Sequence, residues 1–134
     1  MKFVLKIPIE LKSEANIHDH WLRKHKRRKS HIWAVKCVFA QERPKVESFP
    51  VMATLVRYSP RKLDDDNLIA AFKWIRDAIA DLIKPGFKPG RADANDDIVF
   101  KYSQEKSVDK YVIIILESIN YFTTETYEKN QAQG

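Results

Sequence analysis

The chain has 134 residues, with 24 Lys and Arg against 18 Asp and Glu and a formal net charge of +6. This length suits one domain with a single hydrophobic core, and a pI near 9.4 favours a polyanionic partner. No apolar run reaches the roughly 18 residues of a membrane span, the N-terminus lacks a signal-peptide core, and the single cysteine, Cys37, excludes an internal disulfide, so we expect a cytoplasmic protein.

The hydrophobic pattern of the first half predicts a strand, a helix and a second strand. Residues 3–9 alternate between apolar and polar side chains, as in a strand. Apolar residues recur at intervals of three and four from Ser30, which predicts a helix that ends before a polar loop at residues 41–50. Residues 51–58 are β-branched and alternating, and are predicted to form a strand.

The second half predicts one long helix and two further strands. Apolar residues recur after Asp66 at spacings of four, three, four and three: Leu68, Phe72, Ile75, Ile79 and Leu82. Residues 98–103 and 111–119 are predicted strands, and we expect them to pair as an antiparallel hairpin.

The predicted order is therefore β-α-β-α-β-β. We predict an α/β fold of the two-layer α+β kind, with a small mixed sheet of about four strands and helices on one face. Residues 1–122 would form the single domain, and residues 123–134 a polar, flexible tail.

The most informative local feature is the run Asp64-Asp65-Asp66, which directly precedes the long helix. An aspartate at a helix N-cap accepts a hydrogen bond from a free backbone N–H, and this explains Asp66 if the helix begins there. Capping does not explain three adjacent carboxylates, because they repel one another unless a cation relieves the repulsion.

A divalent metal site is the functional interpretation of this run. Mg²⁺ prefers oxygen ligands, often one or two carboxylates completed by waters and substrate phosphates. Asp64 and Asp66 project to the same side of an extended segment, and Asp97, at the head of a later strand, could complete the site. Such a metal would activate a water and neutralise the leaving oxygen of a phosphodiester.

Lys73 follows Asp66 by about two helical turns and would share its face of the helix. It is a candidate for contacting the scissile phosphate. A surface ion pair with Asp77, four residues further on, is an equally good explanation.

The residues Arg-x-Leu-Asp-x-Asp-Asn-Leu, the helix with Arg76-Asp77-Ala78-Ile79 and the later Asp-Asp-x-Val resemble the RusA-type Holliday-junction resolvases, most closely the phage and prophage members. The stretch from Phe100 to Gln104 is also similar to that family. The resemblance is strongest over residues 57–104.

The resemblance implies a small α/β homodimer in a bacterial or phage-infected cell that nicks four-way and branched DNA in recombination and repair. Mg²⁺, or alternatively Mn²⁺, would be the cofactor. Asp64, Asp66 and Asp97 would be the essential carboxylates and metal ligands, with Asp96 beside the last. Two-fold symmetry suits a two-fold-symmetric junction.

Two departures from the family pattern concern substrate positioning. The best-known members carry a lysine four residues after the second aspartate, where this chain has Ala70, so Lys73 would have to replace it. The family's early segment rich in Pro, Asn and Arg is not recognisable here.

A basic segment at residues 23–29 is the predicted phosphate-contacting stretch, with a solvated basic loop as the alternative. The predicted DNA-binding residues are Arg23, Lys24, Lys26, Arg27, Arg28 and Lys29, together with Arg57, Arg61 and Lys62 beside the acidic run. Trp21 and Trp33 flank the segment. We expect them in the core or a dimer interface, with base stacking as the alternative.

A structural zinc site is not expected. His18, His20, His25 and His31 lack a cysteine at ligand spacing and lie among cations. The acidic run predicts a divalent metal site, and the family resemblance implies a metal-dependent endodeoxyribonuclease. The alternatives are a non-catalytic nucleic-acid-binding module and a less selective nuclease acting on flaps or duplex.

Overall fold

The computed structural model describes residues 2–14, 17–18, 20–84 and 97–119. They form a four-stranded mixed sheet with helices packed against it, which confirms the predicted two-layer fold class. The elements, in chain order, are β1 (Lys2–Ile7), α1 (Trp21–Glu42), β2 (Val51–Ser59), α2 (Asp65–Ala71), α3 (Lys73–Ile83), β3 (Ile98–Lys106) and β4 (Tyr111–Ser118). The predicted tail lies outside the described residues.

The strand order is β1-β4-β2-β3, so the predicted hairpin of the last two strands is wrong. β4 is antiparallel to both β1 and β2, whereas β3 is parallel to β2. The connection through α2 and α3 takes β3 to the outer side of β2. β4 is the most apolar strand and occupies a central position, where Val112, Ile114 and Leu116 are fully buried.

β1, β2 and β3 all run in the same direction, and this gives the sheet two distinct ends. The three strands finish at Ile7, Ser59 and Lys106, which we call the carboxyl end of the sheet. β2 and β3 begin at the opposite, amino end, where Val51 pairs with Ile98. Each helical connection leads from the carboxyl end back to the amino end.

The core lies between the sheet and the helices. Alternate residues of each strand face this layer, as the period-two patterns predict. The largest fully buried side chains from the sheet are Leu5, Ile7, Val51, Leu55, Val112, Ile114 and Leu116, and those from the helices and the junction between α2 and α3 are Val35, Phe72, Ile75 and Ile79.

Helix α1 begins at Trp21, well before the predicted start at Ser30. His20 caps it, because its Nδ1 accepts a hydrogen bond from the backbone N–H of Leu22 at 3.2 Å. The helix ends at Arg43, whose backbone is left-handed (φ 48°) and whose N–H donates to the carbonyl of Phe39. The early turns have no apolar face, so hydrophobic periodicity could not reveal them.

The predicted long helix is divided in two at Phe72. The backbone there has φ −84° and ψ 0°, and its N–H donates to the Ile69 carbonyl rather than to Leu68. Phe72 is fully buried at this break. The predicted apolar stripe is nevertheless correct, since Leu68, Ile75 and Ile79 are buried too.

None of the helices in the described ranges is both long and apolar enough to cross a membrane.

His31 gives the fold a predicted pH dependence. It is 7% exposed, its ring meets that of Trp74 edge-on at 5.6 Å, and its Nδ1 has no hydrogen-bond partner among the described residues. Burial lowers the pKa of His31 below its usual 6.5; the carboxylate of Glu14 opposes this and the charge of Arg27 adds to it.

We expect the free energy of unfolding to fall as pH drops below about 6.5, by up to about 1.4 kcal/mol per pH unit from this residue. The free energy of unfolding falls because His31 binds a proton more readily in the unfolded chain than in the folded chain, so acid favours the unfolded state. Denaturant unfolding from pH 7.5 to 5 should show a steeper loss for the wild type than for His31→Phe, which keeps an aromatic ring without a titrating group. Parallel curves for the two proteins would contradict the prediction.

Candidate metal and nucleic-acid site

The acidic run lies at the carboxyl end of the sheet, where the chain leaves β2 and enters α2. Asp64 is the N-cap residue, and Asp65 and Asp66 form the first turn. The expectation that Asp66 is the cap and lies in an extended segment with Asp64 is therefore wrong. The side chain of Asp64 makes no capping hydrogen bond, and all three aspartates are exposed.

Two side chains from the sheet hold the segment that leads into this run. Gln104 of β3 donates from Nε2 to the Leu63 carbonyl at 2.7 Å, and its Oε1 accepts from the Leu63 N–H at 2.9 Å. Arg57 of β2 donates from Nη1 to the Arg61 carbonyl at 2.6 Å. Side chains of the sheet therefore hold the carbonyls of Arg61 and Leu63, and this limits where the carboxylates that follow can lie.

Arg57 was predicted to contact DNA, but the structure assigns it another role. It is only 7% exposed, and its Nε donates to the Leu11 carbonyl at 2.8 Å. Burial lowers the pKa of Arg57, with the charge of Glu10 opposing the shift. An alternating strand pattern does not reveal such a residue, because inward-facing arginines are rare and depend on main-chain acceptors from other segments.

Arg61, Lys62 and Lys73 are exposed. Lys73 is the first residue of α3. Lys73 and Asp66 do not lie on one continuous helix as predicted, because the helix is interrupted at Phe72 between them. The predicted role of Lys73 stays a prediction.

Asp97 lies at the amino end of the sheet, away from the other candidate ligands. Its carbonyl accepts from the N–H of Val51, the first residue of β2, at 2.8 Å. Gln104, which holds Leu63, is seven residues further along β3, and a strand of that length spans about 23 Å. Asp64 is separated from the amino end by α2 and α3. The combined length of these two helices is up to about 28 Å.

Asp97 therefore does not join Asp64 and Asp66 within one chain, contrary to the expectation that it completes their site. Its carboxylate instead forms an ion pair with Lys84, the residue that follows α3. Within the described ranges, no three His, Cys, Asp or Glu side chains are grouped as a metal would require. Asp96, which was predicted to lie beside Asp97, is outside the described residues.

The predicted DNA-binding stretch at residues 23–29 is part of α1 rather than a loop. All of these residues are exposed except Arg27. The guanidinium of Arg27 makes two hydrogen bonds of 2.7 Å to the carboxylate of Glu14, and both side chains are largely shielded. Arg27 is therefore held by the protein itself, while its basic neighbours face solvent.

The flanking tryptophans are not core residues. Trp21 is 67% exposed and Trp33 is 68% exposed, so that half of the expectation is wrong. Their place in a dimer interface stays a prediction.

Gln104 is the one positioning residue that the sequence indicated without explaining. It stands in the stretch that resembles the resolvase family, but its pairing with Leu63 could not be inferred, because a side-chain amide can bond many main-chain partners.

The comparison with protein-family models returned no match, and the comparison with curated proteins also returned none.

Proposed function

We propose that the protein is a metal-dependent endodeoxyribonuclease of the Holliday junction resolvase type, which nicks four-way and other branched DNA. One observation carries the proposal. Three exposed aspartates stand at the carboxyl end of the sheet on a backbone held by Gln104 and Arg57. Ligands commonly bind at the carboxyl ends of parallel strands.

The donor set suits Mg²⁺. Asp64 and Asp66 offer exposed carboxylate oxygens, and the side chain of Asp64 is not used by its own helix. Mg²⁺ is typically held by one or two carboxylates while waters and substrate phosphates complete its shell. Two carboxylates on a held backbone are therefore enough for a site that forms fully only with DNA present.

The metal would supply Lewis-acid stabilisation of the charge that develops on the phosphodiester. The chain's own residues would do the rest. Asp64 and Asp66 would hold the cation, and Lys73 would offer a positive charge to a phosphate oxygen near the first turn of α2. Arg61 and Lys62 would draw the DNA backbone towards this end of the sheet.

The proposed homodimer offers a place for Asp97. A two-fold axis that reverses the strand direction would bring the amino end of one copy beside the carboxyl end of the other. Asp97 of a second copy would then lie near Asp64 and Asp66, although the three are far apart in one chain. This arrangement would account for the distance between Asp97 and the other two aspartates in one chain.

A non-catalytic nucleic-acid-binding module is the second candidate, and two observations favour it. Asp65 and Asp66 stabilise the positive end of the α2 dipole, and Asp97 pairs with Lys84. Under this alternative, the carboxylates are structural and DNA binding needs no metal.

The test is a nicking assay with a labelled four-way junction and a matched linear duplex, each with Mg²⁺ or with EDTA. We expect paired nicks in the junction in Mg²⁺, no cleavage in EDTA, and little cleavage of the duplex. Cleavage of both substrates at similar rates would indicate a less selective nuclease. Tight junction binding without cleavage in Mg²⁺ or Mn²⁺ would contradict the proposal and favour the binding module.

A further inference from the structure

The first part of helix α1 is exposed except at Arg27, which is unusual for a helix in a small domain. We call residues 21–30 the basic arm. Every one of them is exposed except Arg27, whereas the buried residues of α1 begin at His31. A helix usually buries one apolar face, but residues 23–30 contain no apolar side chain at all.

The charge of the basic arm is unfavourable for an isolated helix. Its positive residues are Arg23, Lys24, Lys26, Arg27, Arg28 and Lys29, and no acidic residue occurs from position 21 to position 41. Like charges four residues apart repel, and cations at a helix N-terminus oppose the helix dipole. The helix nevertheless starts at Trp21, with Arg27 tied to Glu14 of the preceding segment. A polyanion would relieve this repulsion.

We propose that the basic arm is a duplex-docking helix, which lies in a groove of double-stranded DNA and contacts phosphates on both sides. An α-helix with its side chains is about 10–12 Å across, and the major groove is about 12 Å wide. Cations around the whole helix circumference suit a groove, where both walls carry phosphates. This inference extends the proposed function by naming the surface that holds the substrate's arms.

The position of the basic arm supports this role. α1 and α3 run in the same direction, and the His31 ring on α1 contacts the Trp74 ring on α3 at 5.6 Å. Arg23 precedes His31 by eight residues, which corresponds to about 12 Å of helix. Because α1 runs from the carboxyl end of the sheet to its amino end, the basic arm extends from this contact towards the carboxyl end, where the acidic run also lies. A duplex held by the arm would therefore lie at the same end of the molecule as the aspartates.

A membrane surface fits the basic arm less well. Helices that lie in a membrane interface need an apolar face opposite their basic face. The exposed apolar residues of the arm, Trp21 and Leu22, are confined to its first turn.

The test compares two variants with the same loss of five positive charges. The arm variant replaces Arg23, Lys24, Lys26, Arg28 and Lys29 with Gln, which keeps helix propensity and spares the Arg27–Glu14 pair. The control variant replaces five exposed lysines elsewhere with Gln: Lys2, Lys12, Lys36, Lys45 and Lys106. Circular dichroism and thermal melting would confirm that both fold.

Binding to a fluorescent duplex is measured by anisotropy in EDTA over a range of salt concentrations, so that cleavage plays no part. We expect the arm variant to lose roughly 100-fold in affinity at 0.1 M salt, with a salt slope smaller by about three units. The salt slope of the control variant should change by less than about one unit. Equal losses of duplex affinity in both variants would overturn the proposal. Binding to anionic phospholipid vesicles is measured in parallel. An arm variant that keeps its duplex binding but loses vesicle binding would also overturn the proposal.

Because the assay needs no cleavage, its outcome separates the two proposals. Duplex docking by the basic arm can be confirmed even if the protein never nicks DNA. If the protein nicks junctions but the arm variant binds duplex as tightly as the wild type, the proposed function is retained and the docking role of the basic arm is rejected.

Discussion

The Asp64→Asn and Asp66→Asn proteins are each expected to nick a four-way junction at least about 100-fold more slowly than the wild type in Mg²⁺. Each substitution replaces a carboxylate oxygen with an uncharged amide and weakens the proposed cation site at the start of α2. The double variant should be little slower than the worse single variant, because residues that act as a unit are not additive.

Asp65→Asn is the matched control, since Asp65 is an exposed aspartate in the same turn. It removes the same charge next to the same helix end. The measurement is the single-turnover nicking rate, with junction binding in EDTA recorded in parallel. If all three variants nicked at the wild-type rate, the acidic run would be structural and the binding module would be the better description.

The two-layer fold could be predicted because its determinants are local. Alternation in β1 and β2 and the apolar stripe from Leu68 to Ile79 directly reflect which side chains face the core. The order of strands was harder, since β4 could pair with any neighbour of suitable direction. Its central place between β1 and β2 depends on the competition of whole strands for burial, and hydrophobic periodicity does not contain that information.

The site was predictable in residue type but not in arrangement. The run from Asp64 to Asp66 is conspicuous because like charges rarely adjoin without a reason. The separation of Asp97 follows only from the parallel pairing of β2 and β3, which puts the start of β3 beside Val51. Likewise, the burial of Arg57 depends on the carbonyls of Leu11 and Arg61, one of them far away in sequence.

The separation of Asp97 leads to a prediction about mixed dimers. If the proposed two-fold arrangement is correct, each site combines Asp64 and Asp66 of one copy with Asp97 of the other. Asp97→Asn dimers and dimers with both Asp64→Asn and Asp66→Asn should each be inactive. A heterodimer of the two should regain one intact site of two, and hence about half of the wild-type nicking rate per dimer.

The heterodimer can be isolated by co-expression with two different affinity tags and sequential purification. Lys84→Gln is the control for the ion pair with Asp97, because it breaks that pair while leaving the carboxylate. An inactive heterodimer beside inactive parents would mean that all three aspartates act within one chain after a rearrangement. An active Asp97→Asn homodimer would mean that Asp97 only holds Lys84, and the site would then consist of Asp64 and Asp66 alone.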